Sequence, residues 1–295
     1  MCTIKLMPEL PEVETVRLQL LNKIAGKRIK GVEVFHMKTV GHDSTIEDRL
    51  LGKTIADIDR IGKLLIFSFA KEANLFLLAH LKMTGQFFFV EQTGEVATGG
   101  GHSMTEADIA EFPGRHTRVA FYFTDGSALY FNDMRLFGYN KLADTETVEK
   151  AKAGFGPEPI DPEFDVDWFV EALRKKKAVV KAALLDQSFV AGLGNIYVDE
   201  ALWRVHVRPT RRANKVTKAE AAALAAASGD VMRESIEVGG TTFQSFKDTG
   251  GAYGNFKDFL QVFGKQGTAC PRCGTTIKKT RTAGRGTHYC PGCQR

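Results

Sequence analysis

Two cysteine pairs, Cys270-Pro-Arg-Cys273 and Cys290-Pro-Gly-Cys293, stand sixteen residues apart near the end of the chain. No other feature constrains the local fold as tightly. A segment below about 40 residues seldom buries a core unaided and needs a staple. Each Cys-x-x-Cys pair can offer two thiolates to one side of a tetrahedron, the donor set of a zinc site. Two disulfides would be the alternative staple. The first residues carry no apolar segment of a secretory signal, so a reducing, cytoplasmic setting is expected, which disfavours that alternative. Four thiolates leave no open coordination position, so one structural Zn2+ is expected here, held by Cys270, Cys273, Cys290 and Cys293. The fifth cysteine, Cys2, has no evident partner.

The same segment is basic. Residues 264–295 hold seven Lys or Arg and no Asp or Glu. The whole chain has a net charge of +5, so those seven leave −2 for the remainder. A second acid-free block runs from Arg204 to Lys218, and a third cluster is Arg174, Lys175, Lys176, Lys177 and Lys181. One such cluster is ordinarily a solvated face. Three of them, separated by acidic sequence, read as a surface stripe for a polyanion. No apolar run reaches the about 18 residues that a membrane span needs.

Along the chain the texture changes. Residues 11–25 place Val13, Val16, Leu20 and Ile24 at roughly helical spacing. RIKGVEVFH, TIADIDRI, KLLIFSF, LFLLAHL, RVAFYF and ALYFN then read as strands, and Thr124-Asp125-Gly126-Ser127 reads as a hairpin turn between the last two. Residues 91–114 read as a long loop. Several strands in the first 140 residues suggest an antiparallel sandwich or barrel. GPEPIDPEF (156–164) marks a boundary. WFVEALRKKK, KAVVKAALLDQ, YVDEALWRVH and KAEAAALAAASGDVMRESIEVGG follow as helices, the last closed by Gly239-Gly240. The expected divisions are a leader at 1–6, an N-terminal domain at 7–145, a helical domain at 146–263 and a zinc finger at 264–295.

In order along the chain stand MPELPEVETVR (7–17), HLKMTGQF (80–87), NDMRLFG (132–138), GLGNIYVDEAL (192–202) and the four-cysteine ribbon. Together they resemble the bacterial formamidopyrimidine-DNA glycosylases, over nearly the whole length from Met7 to Arg295. The resemblance implies an α+β multidomain fold: an N-terminal antiparallel β-sandwich with flanking helices, a helix–two-turn–helix domain and a C-terminal zinc-ribbon hairpin. It implies a base-excision-repair enzyme, a monomer in the bacterial cytoplasm that associates with the nucleoid through DNA. Its partner would be double-stranded DNA containing an oxidised base, cut after excision by an apurinic/apyrimidinic lyase step.

The resemblance also implies roles for particular residues, and each has a plainer alternative. Pro8 would be the nucleophile, a secondary amine at the start of the mature chain; inside a chain it is a first-turn helix proline. Glu9 would open the sugar ring and move protons, and Glu12 would help place the amine, though first-turn carboxylates also suit a helix dipole. Lys63 would bind phosphate beside the lesion, or simply end a strand in solvent. Met83, Arg135 and Phe137 would fill the void left by a flipped base, whereas Met83 and Phe137 taken singly read as core. Lys181 would sit near the damaged nucleotide, or lie on a helix surface. Asn195 would bind phosphate, or cap its helix. Arg285 of the ribbon would bind phosphate.

Two departures from the family stand out. A free Pro8 amine requires that Met1–Leu6 be a leader absent from the mature enzyme, with Met7 trimmed. The family's Asp-Pro-Arg-Arg-Phe-Gly appears here as Asp133-Met134-Arg135-Leu136-Phe137-Gly138, without the proline that would stiffen it. DTGGAYGNF (248–256) matches the place of a lesion-capping loop. Oxidised purines are the expected substrates. Excision of oxidised pyrimidines on the same fold, or damaged-DNA binding without catalysis if Pro8 is blocked, are the alternatives.

Overall fold

The computed structural model describes residues 8–100, 111–240 and 256–295. The leader, Cys2 and all but the last residue of the 248–256 segment lie outside them. The chain divides into two compact units. Gly154–Glu237 with Phe256–Arg295 form the second, and the rest of the described chain belongs to the first.

The first unit begins with helix α1 (Leu10–Ile24). Glu9 is its N-cap. The Glu12 carboxylate accepts the Glu9 N–H at 2.9 Å while the Glu9 carboxylate accepts the Glu12 N–H, a reciprocal capping box. The periodic residues Val13, Val16, Leu20 and Ile24 are all buried. Nine described strands follow: β1 (Ile29–Val34), β2 (Ile55–Ile61), β3 (Leu64–Phe69), β4 (Glu72–His80), β5 (Gly85–Val90), β6 (Val96–Gly100), β7 (Thr117–Phe123), β8 (Ala128–Asp133) and β9 (Tyr139–Ala143). They form two antiparallel sheets, ordered β1-β7-β8-β5-β6 and β2-β3-β4-β9. Helix α2 (Ile46–Leu50) lies between β1 and β2 in sequence, and α3 (Thr145–Ala153) follows β9.

Side-chain alternation places one face of each sheet in a shared core with α1. Leu65, Phe67 and Phe69 of β3 meet Phe87 and Phe89 of β5, and Phe121, Phe123 and Phe131 from the same sheet as β5. The opposite faces are also covered. Leu64 and Ile66 pack with Val148 of α3, while Phe88 packs with Tyr130 and Phe112.

Two corrections follow, the first explained by this double burial. GQFFFV is a strand, yet its continuous apolar run carries no polar alternation to announce it. The loop expected over 91–114 is a turn only to residue 95 and then contains β6, paired with β5 from Val90↔Val96 to Gln86↔Gly100. Its glycine-rich sequence is held by the ladder of its neighbour rather than by strand propensity.

The second unit contains α4 (Val166–Lys175), α5 (Val180–Leu185), α6 (Asn195–Arg204), α7 (Lys218–Glu237) and α8 (Phe256–Phe259). Asp165 caps α4 by accepting the Trp168 N–H at 2.8 Å. The helix expected over KAVVKAALLDQ is shorter, because Val179 is drawn into a β-bridge with Arg212. The chain ends in the hairpin β10 (Lys278–Thr282) and β11 (Arg285–Tyr289). Its turn residues Ala283 and Gly284 have φ of 52° and 73°, as a two-residue primed turn demands. No helix among the described residues is long and apolar enough to cross a membrane.

Phe87 is fully buried between Phe67 and Phe131, with ring centroids 5.9 and 5.0 Å away. Phe87→Ala is expected to destabilise the first unit by about 3–5 kcal/mol, read from its urea-unfolding midpoint.

Candidate active site and nucleic-acid interface

Pro8 and Glu9 lie at the head of α1, both buried. One turn on, Glu14 receives Arg17 at 2.7 Å and Arg60 at 2.8 Å. Burial raises the Glu14 pKa, but these two guanidiniums outweigh it and the net shift is downward. Arg17 also donates to the Ile58 carbonyl and Arg60 to the Gly62 carbonyl, at 3.0 and 2.9 Å. The polar side of α1 is thus tied to the turn between β2 and β3. Lys63 sits in that turn, only 8% exposed, rather than at a solvated strand end.

His80, at the end of β4, belongs to the same neighbourhood, and sequence reasoning passed over it although it opens the HLKMTG motif. Burial, then the charges of Lys82 and Lys63, lower its pKa to about 3. The ring is therefore neutral at neutral pH. Its Nδ1 accepts the Lys82 N–H at 3.0 Å, which leaves the proton on Nε2.

Met83, Arg135 and Phe137 come together, although Met83 is more than fifty residues from the other two. The register brings Gly85 opposite Asp133, so the turn before β5 meets the turn after β8. An Arg135 Nη1 lies 3.1 Å from the Met83 Sδ, and its guanidinium stacks 4.7 Å from the centroid of the Phe137 ring. Phe137 is 49% exposed and Arg135 is exposed, while Met83 is half-buried. Core packing, the plainer expectation for Phe137, is therefore overturned.

The loop lacks the family's proline but is pinned otherwise. Asp133 is fully buried. Its Oδ1 accepts the Thr84 hydroxyl and the Arg135 N–H (3.1 Å), and its Oδ2 accepts the Gly138 N–H at 2.7 Å. A Cβ on Gly138 would stand 2.7 Å from Phe131, so only glycine lets the backbone pass this close.

In the second unit Lys181 is 0% exposed, which corrects its reading as a surface residue. Its ammonium lies 2.6 Å from the Asp199 carboxylate, also fully buried, and donates to the Gly286 carbonyl at 3.2 Å. Asn195 does not cap α6; Gly194 does. The Asn195 amide instead donates to the same Gly286 carbonyl at 2.9 Å. The second Asp199 oxygen accepts the His288 N–H at 2.8 Å. Three contacts thus fix the ribbon strand that begins at Arg285, whose side chain is exposed. Beside Asp199, buried Glu200 accepts the N–H groups of Gln261, Val262 and Phe263 at 2.8–3.0 Å. The sequence offered no signal for either carboxylate beyond the GLGNIYVDEAL motif.

The sulfurs of Cys270, Cys273, Cys290 and Cys293 lie within 4.8 Å of one another, and none is in a disulfide. Pairs at 3.2, 3.5 and 3.8 Å reach up to the about 3.8 Å edge of a tetrahedron with Zn–S bonds of about 2.3 Å. The donor set fits zinc. Trp203, Val262 and Ile277 complete a small core around Cys270 and Cys290.

Comparison with known proteins accounts for nearly all of this layout. Residues 7–140 match the formamidopyrimidine-DNA glycosylase N-terminal domain, 155–247 its H2TH domain, and 267–295 the zinc finger found in FPG and IleRS. The formamidopyrimidine-DNA glycosylase of Exiguobacterium sibiricum is 41% identical over 293 residues, covering 98% of this chain and 99% of the relative. The chain belongs to the formamidopyrimidine-DNA glycosylase family. The enzyme from Ligilactobacillus salivarius is 40% identical over 294 residues, covering 98% and 99%. The complex of Lactococcus lactis Fpg with DNA containing an abasic site matches with a TM-score of 0.84 at 35% identity, covering 98% of this chain and all of that one. As a member of this family the protein is a DNA glycosylase of base-excision repair, with one structural zinc in its C-terminal finger.

In this glycosylase Lys181 has no surface with which to meet DNA directly. Lys181→Met would strand the Asp199 charge, and is expected to cost about 3–5 kcal/mol of stability in the second unit. A lysine that only touched phosphate would leave the unfolding midpoint unchanged.

Proposed function

We propose that the enzyme excises oxidised purines, 8-oxoguanine and formamidopyrimidines, from double-stranded DNA and then cleaves the strand by β,δ-elimination. The observation that carries this reading is the Met83–Arg135–Phe137 cluster, with Arg135 and Phe137 exposed, in the same unit as the Pro8-Glu9 head of α1. Reaching a base inside a duplex requires flipping it, at a cost of a few kcal/mol in lost stacking. An apolar wedge with a guanidinium beside it suits the vacated space: Phe137 and Met83 replace stacking, and Arg135 hydrogen-bonds the orphaned partner base.

The chemistry uses the Pro8 nitrogen as a free secondary amine, so it operates in a polypeptide that begins at Pro8. An α-amine titrates near ~8, against ~10.4 for a lysine, and an unprotonated fraction exists at neutral pH. The nitrogen bonds to C1′ as the bond from C1′ to the base breaks, and the base leaves with a proton. Glu9 protonates the ring oxygen as the sugar opens, giving a C1′ iminium ion. The iminium draws electrons from the C2′–H bond. Loss of that proton expels the 3′ phosphate, a second elimination expels the 5′ phosphate, and water releases the sugar remnant and restores the amine. Glu12, bonded to the Glu9 N–H, keeps the head of α1 in place.

Lys63, Asn195 and Arg285 hold the phosphates around the lesion, and Lys181 acts by fixing the Gly286 carbonyl beside Arg285. Residues 7–145 supply the chemistry, while 146–263 and 264–295 grip the duplex. The enzyme acts as a monomer in the cytoplasm. A wider substrate range has one specific support: wild-type Lactococcus lactis Fpg, 36% identical, has been solved with DNA containing an oxidised pyrimidine.

Borohydride trapping on an 8-oxoguanine duplex tests the mechanism. Protein started at Met7 is expected to attach covalently to DNA, and protein that retains Met1 is expected not to. No adduct from the Met7 form would leave a damaged-DNA binder without this chemistry. Arg285→Ala is expected to flatten the slope of log affinity against log salt by about 0.9, the loss of one phosphate contact.

A further inference from the structure

The wedge loop poses a mechanical problem. Met134 and Phe137 are 53% and 49% exposed, so apolar burial does little to hold it. Leu136 has φ 56°, a left-handed conformation that a side chain with a Cβ disfavours. A loop with these properties relaxes unless something else fixes it. The fixing group is a buried carboxylate. Asp133 receives the Thr84 hydroxyl from the turn that carries Met83, and the Arg135 and Gly138 amides from the turn that carries Arg135 and Phe137. Thr84 Oγ1 also accepts the Arg135 N–H at 3.1 Å. Arg118 and His116 hold the Asp133 backbone, with Arg118 donating to its carbonyl at 2.8 Å and the His116 carbonyl accepting its N–H at 2.9 Å.

We propose that Asp133 and Thr84 are positioning residues that join both halves of the void-filling wedge into one rigid body before DNA binds. The inference rests on the function proposed above. Its consequence is specific to duplex substrates. A pre-formed wedge enters the stack without first being ordered, so its rigidity favours extrusion of a paired base. At an abasic site in single-stranded DNA there is no base to extrude and no partner to hold, and wedge rigidity has nothing to act on.

Asp133→Asn tests this at constant size. An amide cannot accept from all three donors, because its nitrogen must face at least one of them. Thr84→Val removes the hydroxyl at constant shape, and Thr84→Ser retains it. Two readouts apply. The first is hydrogen exchange of the Arg135 and Gly138 amides in the DNA-free protein. The second is single-turnover excision of 8-oxoguanine from duplex DNA, compared with cleavage of single-stranded abasic DNA.

Thr84→Val is expected to speed exchange of the Arg135 amide about tenfold or more, and Asp133→Asn that of the Arg135 or the Gly138 amide, whichever its nitrogen faces. Both are expected to slow duplex excision by about 30- to 100-fold and to keep single-strand cleavage within about threefold of the parent. Thr84→Ser should restore both properties. Faster exchange with unchanged duplex excision would overturn the proposal, as would equal losses on the two substrates. Unchanged exchange would overturn it independently of catalysis. A parent protein that neither excises nor cleaves would instead defeat the proposed function, and the exchange readout would still decide whether Asp133 pins the loop.

Discussion

Helix α1 is gripped on two sides, and the chemistry proposed for its head would depend on that grip. Its apolar side, Val13, Val16, Leu20 and Ile24, is built into the core shared by the two sheets. On its polar side, Glu14 joins Arg60, which in turn holds the turn containing Lys63. A chain terminus, where the proposed nucleophile would stand, is ordinarily the most mobile part of a protein. Here the residue that follows Pro8 is a buried N-cap locked by Glu12, so the first turn inherits the rigidity of the sandwich. Positioning of this kind accounts for a large share of what an enzyme contributes to a reaction.

The same logic recurs at two side chains that stand in solvent. Arg285 faces water, while its neighbour Gly286 is clamped through one carbonyl by Lys181 and Asn195. Phe137 faces water, while the loop around it is fastened to buried Asp133. In each case a buried charged group serves the backbone and leaves the exposed side chain, for which a DNA contact is proposed, unencumbered. Burying such charges is tolerable because each is answered by several donors or by an opposite charge.

Some of this was open to reading from the sequence. The cysteine spacing specified a four-thiolate site, because ligand geometry is local and spacing encodes it. The strands with clear turn signals were legible for the same reason. β5 and β6 were not, since one is apolar on both faces and the other takes its conformation from a partner strand. Periodicity could not tell that Lys181 lies inside, because its partner Asp199 is eighteen residues away and on another helix. Nor could residue type reveal Asp133, whose importance lies in a register that sets two distant turns side by side. Phe137 shows the converse: its apolar character suggested core, and only the loop conformation puts it in solvent.

The most direct measurement is the site of attachment itself. Protein started at Met7 is trapped with borohydride on an 8-oxoguanine duplex, digested, and the peptide bearing the sugar remnant is sequenced by mass spectrometry. The modification is expected on the nitrogen of an N-terminal Pro8, in a peptide that begins Pro8-Glu9-Leu10. Attachment through a lysine such as Lys63, or through any residue of a peptide that still carries the preceding methionine, would contradict it.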